Sequence, residues 1–411
     1  MRAALALLAA LTPCATLAQR ILAINDPASS SATFDTFWRS LQDRGFDLTV
    51  RDVQEAGRLL EDRSTSFDHL ILFAPAGKQP PRALSPQALS RRLDDGSDLL
   101  LVVSPDSAEL WRDFAREFEV DPDDRGQVVV DHFAFDAARD DGAHTTLTVP
   151  VSSVPAPFVS EATRKGPAVL YRGSGHYAGR QPLLTNLLHA SSSAFSGDAD
   201  SSAPPEDARL AGSSIGLVSA FQARNNARVV LAGSVDLFSD AFMTSETGNE
   251  GFASDLAAWN FKKTGIVRVE ESKHVFAETG EPVPMYRVKS DLTYTVKLSI
   301  SDSVSLPDLQ VEFGMLDPHL RVALPAISSE GNTTTYQTTF RVPDRHGVFT
   351  LRLDYRRPGW SFIDEKNTVS VVPPNHNEYD RFITGAAPYY LGAASVSTAF
   401  VLFVSLWMLQ S

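Results

Sequence analysis

His69-Leu70-Ile71-Leu72-Phe73-Ala74 is a near-continuous apolar run stopped by Pro75. It is far too short to cross a bilayer. It also lacks the polar alternation of a strand with one wet face, so it reads as a strand buried on both sides, as in a parallel sheet covered by helices. Downstream, residues 99–103 repeat the pattern, and upstream residues 21–25 and 46–50 supply two shorter strands. Between these runs the period changes. Phe34, Phe37, Trp38 and Leu41 stand at helical spacing, and Gly45 follows where a helix C-terminus favours glycine. Ser85-Pro86 offers an N-cap and a first-turn proline for a helix to Leu93, and residues 107–118 carry another. This β-α-β-α order predicts a doubly wound parallel α/β sheet.

The pattern resumes beyond a Ser-, Pro- and Asp-rich loop at residues 191–208. Strands are expected at 215–221 and 229–232, and a helix over 252–263 that buries Phe252, Leu256 and Trp259. From about Val267 the period becomes two. Residues 292–300, 309–315, 333–342, 348–355 and 368–372 alternate polar and apolar side chains, which predicts a β-sandwich-like domain. The expected α/β domain is therefore 19–266 and the β-rich domain 267–375.

The two ends place the chain at a membrane. Arg2, the apolar run 3–11 and small Ala18 make residues 1–18 a secretory signal, cleaved before Gln19. After a juxtamembrane segment at 376–388, residues 389–409 form a transmembrane helix, uncharged from Leu391 onward. Tyr389 and Tyr390 stand at its start and Trp407 near its end, where amphipathic rings favour the headgroup layer. No Lys or Arg follows the span, so the signal sets a type I orientation. The net charge is −13 with both signs interspersed, which excludes nucleic acid as a partner. Cys14 is the single cysteine, so the mature chain has neither disulfide nor thiol nucleophile.

Motifs that carry chemistry are sparse. Gly212-Ser213-Ser214-Ile215-Gly216 matches the hydrolase G-x-S-x-G pattern but precedes a strand instead of following one, so Ser214 reads as part of a loop. Gly233-Ser234-Val235-Asp236 follows a strand and opens a helical pattern over 237–243. Without a fuller glycine pattern it reads as a capped turn. Asp121-Pro122-Asp123 has the Asp-x-Asp spacing of a metal site but sits in an acidic stretch that reads as a solvated turn. Asp131-His132 lacks a partner, and Gly173-Ser174-Gly175 reads as a flexible turn. No catalytic residue, metal or cofactor is expected. Asn332-Thr333-Thr334, preceded by Gly331, is a glycosylation sequon in an expected turn. In the membrane helix Gly392, Ala393, Ala394, Ser397 and Thr398 are small, and Ala393 with Ser397 and Ala394 with Thr398 have the i, i+4 spacing of a helix-packing face.

Several segments together resemble one family, the 48 kDa subunit of the eukaryotic oligosaccharyltransferase. They include Arg44-Gly45-Phe46, residues 67–75, Val130-Asp131-His132-Phe133, and Leu170-Tyr171-Arg172-Gly173. The most specific is Gln222-Ala223-Arg224-Asn225-Asn226-Ala227-Arg228-Val229-Val230. Leu316-Asp317-Pro318, residues 343–349, and Arg381-Phe382-Ile383 before Pro388-Tyr389-Tyr390 also match. The resemblance implies an amidotransferase-like α/β fold without the amidotransferase cysteine, and a non-catalytic structural role in protein N-glycosylation at the endoplasmic reticulum membrane. The partners it implies are membrane lipid and the other transferase subunits, including a catalytic multi-spanning one that carries a Trp-Trp-Asp motif; this sequence has no adjacent tryptophans. Family members often carry a cytosolic tail with lysine, whereas this sequence stops at Gln410-Ser411; retention by partner subunits and a longer native chain are the alternatives. The rival functions are a stand-alone lumenal hydrolase and a carbohydrate-binding type I receptor using a tryptophan such as Trp360.

Made in a eukaryotic secretory pathway, the protein is expected to lose mass on endoglycosidase treatment, and Asn332→Gln to migrate like the treated form. A wild-type chain that shows no shift would place Asn332 out of reach of the modifying enzyme.

Overall fold

The computed structural model describes residues 19–25, 33–62, 66–77, 79–140, 142–198, 208–301, 306–379, 381 and 383–410. The signal at 1–18, with Cys14, lies outside the described residues. The chain begins with β1 (Arg20–Ile24), α1 (Asp35–Asp43), β2 (Asp47–Arg51), α2 (Val53–Glu61) and β3 (His69–Phe73). Next come α3 (Pro86–Asp94), β4 (Asp98–Val102), α4 (Glu109–Arg116), β5 (Val120–Pro122), β6 (Gln127–Val130) and β7 (Leu147–Val149). Then follow α5 (Glu161–Lys165), β8 (Val169–Tyr171), β9 (His176–Ala178), β10 (Leu184–His189) and β11 (Phe195–Asp198). β12 (Ile215–Gln222), β13 (Arg228–Ala232) and α6 (Asn249–Asn260) complete the first domain.

Strands β2-β1-β3-β4-β13 are parallel neighbours in that order. As expected, β3 is buried along its whole length. Ile71 and Phe73 join the core beneath α1 and α6, while Leu70 and Leu72 join the one beneath α2, α3 and α4. The sheet is doubly wound but not wholly parallel. β12 runs antiparallel to β13, and β9, β10 and β5 extend that antiparallel flank. The cause is local: residues 223–227 link β12 to β13, far fewer than the dozen or so that a crossover between parallel neighbours requires.

Local signals account for most of the elements. The Ser85 hydroxyl accepts from Ala88 N at 3.3 Å and starts α3. Gly45, at φ +82°, turns the chain out of α1 while its N–H donates to the Gln42 carbonyl. α2 was not expected, although Asp52 caps it through Glu55 N and Ala56 and Leu60 supply its buried face. The helical pattern at 237–243 yields only a 3₁₀ turn, Asp236–Phe238. Asp240 instead reaches α1, where its carboxylate accepts from the N–H groups of Asp35 and Thr36 at 3.0 and 2.8 Å. Gly173-Ser174-Gly175 is no flexible turn. Ser174 is fully buried and donates to the Val103 carbonyl at 3.0 Å, and the Gly173 and Gly233 backbones press together without room for a Cβ on either.

The second domain contains β14 (Val267–Phe276), β15 (Met285–Arg287), β16 (Asp291–Ile300), β17 (Gln310–Gly314) and β18 (Pro318–Ala323). β19 (Ala326–Glu330), β20 (Thr333–Arg341), β21 (Gly347–Tyr355) and β22 (Ile363–Val372) follow. The sheets β14-β16-β20-β19 and β15-β22-β21-β17-β18 enclose one core, in which Tyr286, Tyr294, Val296, Tyr336, Phe349 and Leu351 meet. All pairs are antiparallel except β15 with β22. At one end of this sandwich lie Val267, Ile300, Thr333 and the link from Tyr355 to Ile363, beside the first domain. At the other lie Phe276, Asp291, Arg341, Gly347 and Val372, from which the chain leaves for the apolar helix α7 (Ala387–Leu409).

Arg228, fully buried, fastens the segment by which the chain leaves the first domain. Its guanidinium donates to the carbonyls of Trp259, Thr264 and Gly265, the latter two at 2.8 Å, and lies 4.6 Å over the Trp259 ring. Arg228→Leu would orphan these carbonyls at about 1–3 kcal/mol per buried group. The variant is expected to lower the thermal midpoint by several degrees and to split unfolding into two steps, followed by near-ultraviolet circular dichroism. An unchanged single transition would show that the joint does not depend on this cation.

Candidate functional site

The joint is built from the stretch between two buried strands. Gln222 donates through Nε2 to the Trp360 carbonyl at 2.8 Å. Asn226 makes a paired contact with Phe362, receiving its N–H at 2.7 Å and donating to its carbonyl at 3.1 Å. To do so Asn226 takes φ +65°, a conformation that asparagine tolerates better than most residues. Asn225 ties the same turn to the end of α3 by donating to the Leu93 carbonyl at 2.7 Å. From α6, the Trp259 indole N–H donates to the Gly359 carbonyl at 2.7 Å. Beneath these contacts Asp98 is fully buried. It accepts from Arg228 N at 2.8 Å and lies 3.0 Å from both Lys262 Nζ and His69 Nδ1. In the sequence Gln222 to Arg228 stands out only as the most specific segment of the family resemblance, which gives no sign of this cluster.

The candidate chemical residues are dispersed and each has structural work. Ser214, exposed before β12, donates to the Ala211 carbonyl at 2.7 Å. Asp236 pairs with Arg172 at 2.7 Å, and Ser234 caps the turn through Leu237 N at 3.1 Å. The acidic stretch is only partly a solvated turn: Asp124 and Arg125 are exposed at a turn, but Asp121 and Pro122 end β5, with Asp121 held by Arg116 and Arg209. Asp123 is buried and accepts from the Ser196 hydroxyl; burial raises its carboxyl above the usual range. Burial alone would raise Asp131 too. The hydroxyls of Ser191 and Ser193 and the N–H groups of Phe133 and Ala134 outweigh it, holding that carboxyl low. His132 sets its Nδ1 2.6 Å from that of His144.

Asn332 is exposed in the tight turn between β19 and β20, where Gly331 supplies φ +61°. Thr384–Leu409 is a helix long and apolar enough to cross a membrane, with mean hydropathy 1.8 and no part of it buried. α7 spans about 34 Å at 1.5 Å per residue, close to the thickness of a bilayer core. Its serine and threonine hydroxyls are satisfied within the helix. Ser397 donates to the Ala393 carbonyl at 2.9 Å and Thr398 to that of Ala394 at 2.8 Å, beside Gly392.

Residues 13–263 match the family described as OST48, N-terminal domain, and residues 270–411 the one described as OST48 middle domain. The chain belongs to the OST48 family. The dolichyl-diphosphooligosaccharide–protein glycosyltransferase 48 kDa subunits of Caenorhabditis elegans and Arabidopsis thaliana are each 33% identical to it over 408 residues. These alignments cover 94% of this chain and 90% and 91% of theirs. The glycosyltransferase subunit wbp1 of Schizosaccharomyces pombe is 31% identical over 95% of this chain and 92% of its own. Among solved structures, dimeric latent PorU from Porphyromonas gingivalis is 8% identical over 50% of this chain and 17% of its own, with a TM-score of 0.21. That score is too low to bear on the fold. The OST48 matches meet between residues 263 and 270, the stretch of chain that passes through the Arg228 joint.

Proposed function

We propose that this chain is a non-catalytic structural subunit of an oligosaccharyltransferase, the complex that moves a dolichol-diphosphate-linked glycan to asparagine in protein N-glycosylation. The observation that carries this is the alignment with glycosyltransferase 48 kDa subunits over some nine-tenths of their length and of this chain. The engagement of Ser214, Asp236 and Asp123 in local hydrogen bonds and ion pairs supports a role outside catalysis. In this proposal the two globular domains stand in the lumen of the endoplasmic reticulum, and α7 crosses its membrane as a single-pass type I anchor. The stripe of Gly392, Ala393, Ala394, Ser397 and Thr398 packs against helices of other subunits, including the catalytic multi-spanning one. In lipid no hydrophobic drive brings helices together, so close approach across small residues supplies the contact.

Two experiments test the proposal. Ser214→Ala, Asp236→Asn, His132→Gln and Asp123→Asn, each normalised to the amount of assembled subunit, are expected to leave glycosyl transfer within a few-fold of wild type. A drop of roughly a thousandfold or more with normal assembly would be the signature of a catalytic group and would end the structural reading. For the helix, the double replacement Ala393→Leu with Ser397→Leu raises hydrophobicity and preserves insertion. The variant should co-purify poorly with the other subunits. Unchanged co-purification would leave α7 a simple anchor and assign assembly to the globular domains.

A further inference from the structure

The end of the sandwich from which the chain leaves for α7 carries a row of exposed apolar side chains. Met285 of β15 pairs with Ser370 of β22, and Ser370 with Val348 of β21. Directly paired residues share a face of a sheet, and Val348 is 56% and Met285 48% exposed, so this is the outer face. The row continues onto the next strand. Gly314 of β17 stands opposite Thr350, which brings the β17–β18 turn at Met315, Leu316 and Asp317 level with Val348 and Gly347. Met315 Sδ lies so close to Gly347 that a Cβ on that glycine would meet it at 2.9 Å. Leu316, at the tip of the turn, is 98% exposed.

Apolar side chains scattered singly over a surface are ordinary, but several gathered at one rim mark a contact with something apolar. From β15 to β17 this row crosses three strand spacings, about 14 Å. Its outermost member sits on a projecting turn and not in a groove. A projecting apolar tip suits a medium that yields around it.

The chain beyond β22 brings this end close to such a medium. Arg287, the last residue of β15, donates to the Pro373 carbonyl at 3.3 Å and pairs with Glu378 at 2.8 Å. Glu378 also accepts from Asn375 N at 2.9 Å. The segment after β22 is thus tied to the sandwich as far as Glu378. The helix long and apolar enough to cross a membrane begins at Thr384, six residues further on. Six residues reach about 20 Å at full extension, so the apolar row stays near the point where α7 would enter a bilayer.

The remainder of this end is charged. Asp291 pairs with Arg341 at 3.1 Å and Lys289 with Asp344 at 2.7 Å, and Glu278 and Glu281 stand exposed on the turn after β14. One side of the rim is therefore apolar and the other suited to water and headgroups, the division found in elements that lie in a membrane interface. We infer that Met285, Met315, Leu316 and Val348 dip into the boundary between headgroups and acyl chains of the bilayer that α7 crosses. The inference rests on the proposed role of α7 as an anchor. A single helix joined by a short tether leaves the domains free to swivel above the membrane. A second, shallow contact at the rim of the sandwich holds its strands upright and sets the height of the α/β domain.

The test uses the full-length chain with Cys14→Ser in vesicles of phosphatidylcholine and phosphatidylethanolamine. A nitroxide is attached in turn through Leu316→Cys, Val348→Cys, Glu330→Cys or Leu402→Cys. Glu330 is exposed at the opposite end of the sandwich, and Leu402 lies within α7. Paramagnetic resonance compares collisions with oxygen, which concentrates in lipid, and with a water-soluble nickel chelate. The ratio of oxygen to nickel collisions at 316 and 402 is expected to exceed that at 330 several-fold, with 316 the shallower of the two. Thermal melting identifies a variant that fails to fold; if Leu316→Cys does so, Val348→Cys decides. A label at 316 as wet as that at 330, with 402 in lipid, removes the rim contact and leaves the anchor. A label at 402 in water removes the anchor and the inference with it. A label at 316 shielded from both reagents reports a protein neighbour, in these vesicles a second copy of the chain, and also overturns the membrane contact.

Discussion

A buried arginine at the meeting point of two folds constrains everything around it. Arg228 opens the central strand β13, yet its guanidinium leaves the sheet to collect carbonyls at the end of α6 and just beyond it. A helix C-terminus presents carbonyl groups without partners and a partial negative charge, so a cation there satisfies both demands. The cost of burying that cation is met by acceptors on three carbonyls and by the Trp259 ring. As a result the segment that leaves the first domain is held by the strand at the middle of its sheet.

That anchorage sets the order of the parts. The sandwich meets the first domain at the end that carries Val267 and the link from Tyr355 to Ile363, and it releases the chain toward α7 from the opposite end, after Val372. Its longest strands, such as Asp291–Ile300, span about 33 Å at roughly 3.3 Å per residue. The β-rich domain is therefore a spacer that holds the α/β domain away from the apolar helix. The exposed turn at Asn332 lies at the end of the sandwich beside the first domain, opposite the end from which the chain leaves toward α7.

Much of this was legible in the sequence wherever one residue type had one physical use. The run His69 to Ala74 admits little but a doubly buried strand, and Ser85-Pro86 and Gly45 mark helix ends whatever surrounds them. Legibility failed where a distant partner decided the outcome. Asp240 leaves its own helical pattern because α1 needs a cap. Asp121-Pro122-Asp123 resembled a wet turn because its partners Arg116, Arg209 and Ser196 come from other elements. Gly173-Ser174-Gly175 looked loose because the strand ends that enclose it are remote in sequence. Gln222 to Arg228 carried the family resemblance, but only the fold shows that it joins two domains.

The hydroxyls of α7 have a consequence for the life of the chain before it meets any partner. Ser395, Ser397, Thr398 and Ser405 each donate to a carbonyl of the preceding turn. With α7 across a membrane as proposed, these four hydroxyls would enter hydrocarbon with their protons already donated, which lowers the cost of burying them. Under the proposed role, discrimination among neighbouring helices would fall mainly to close packing across the small residues, since these hydroxyl protons are already committed within the helix.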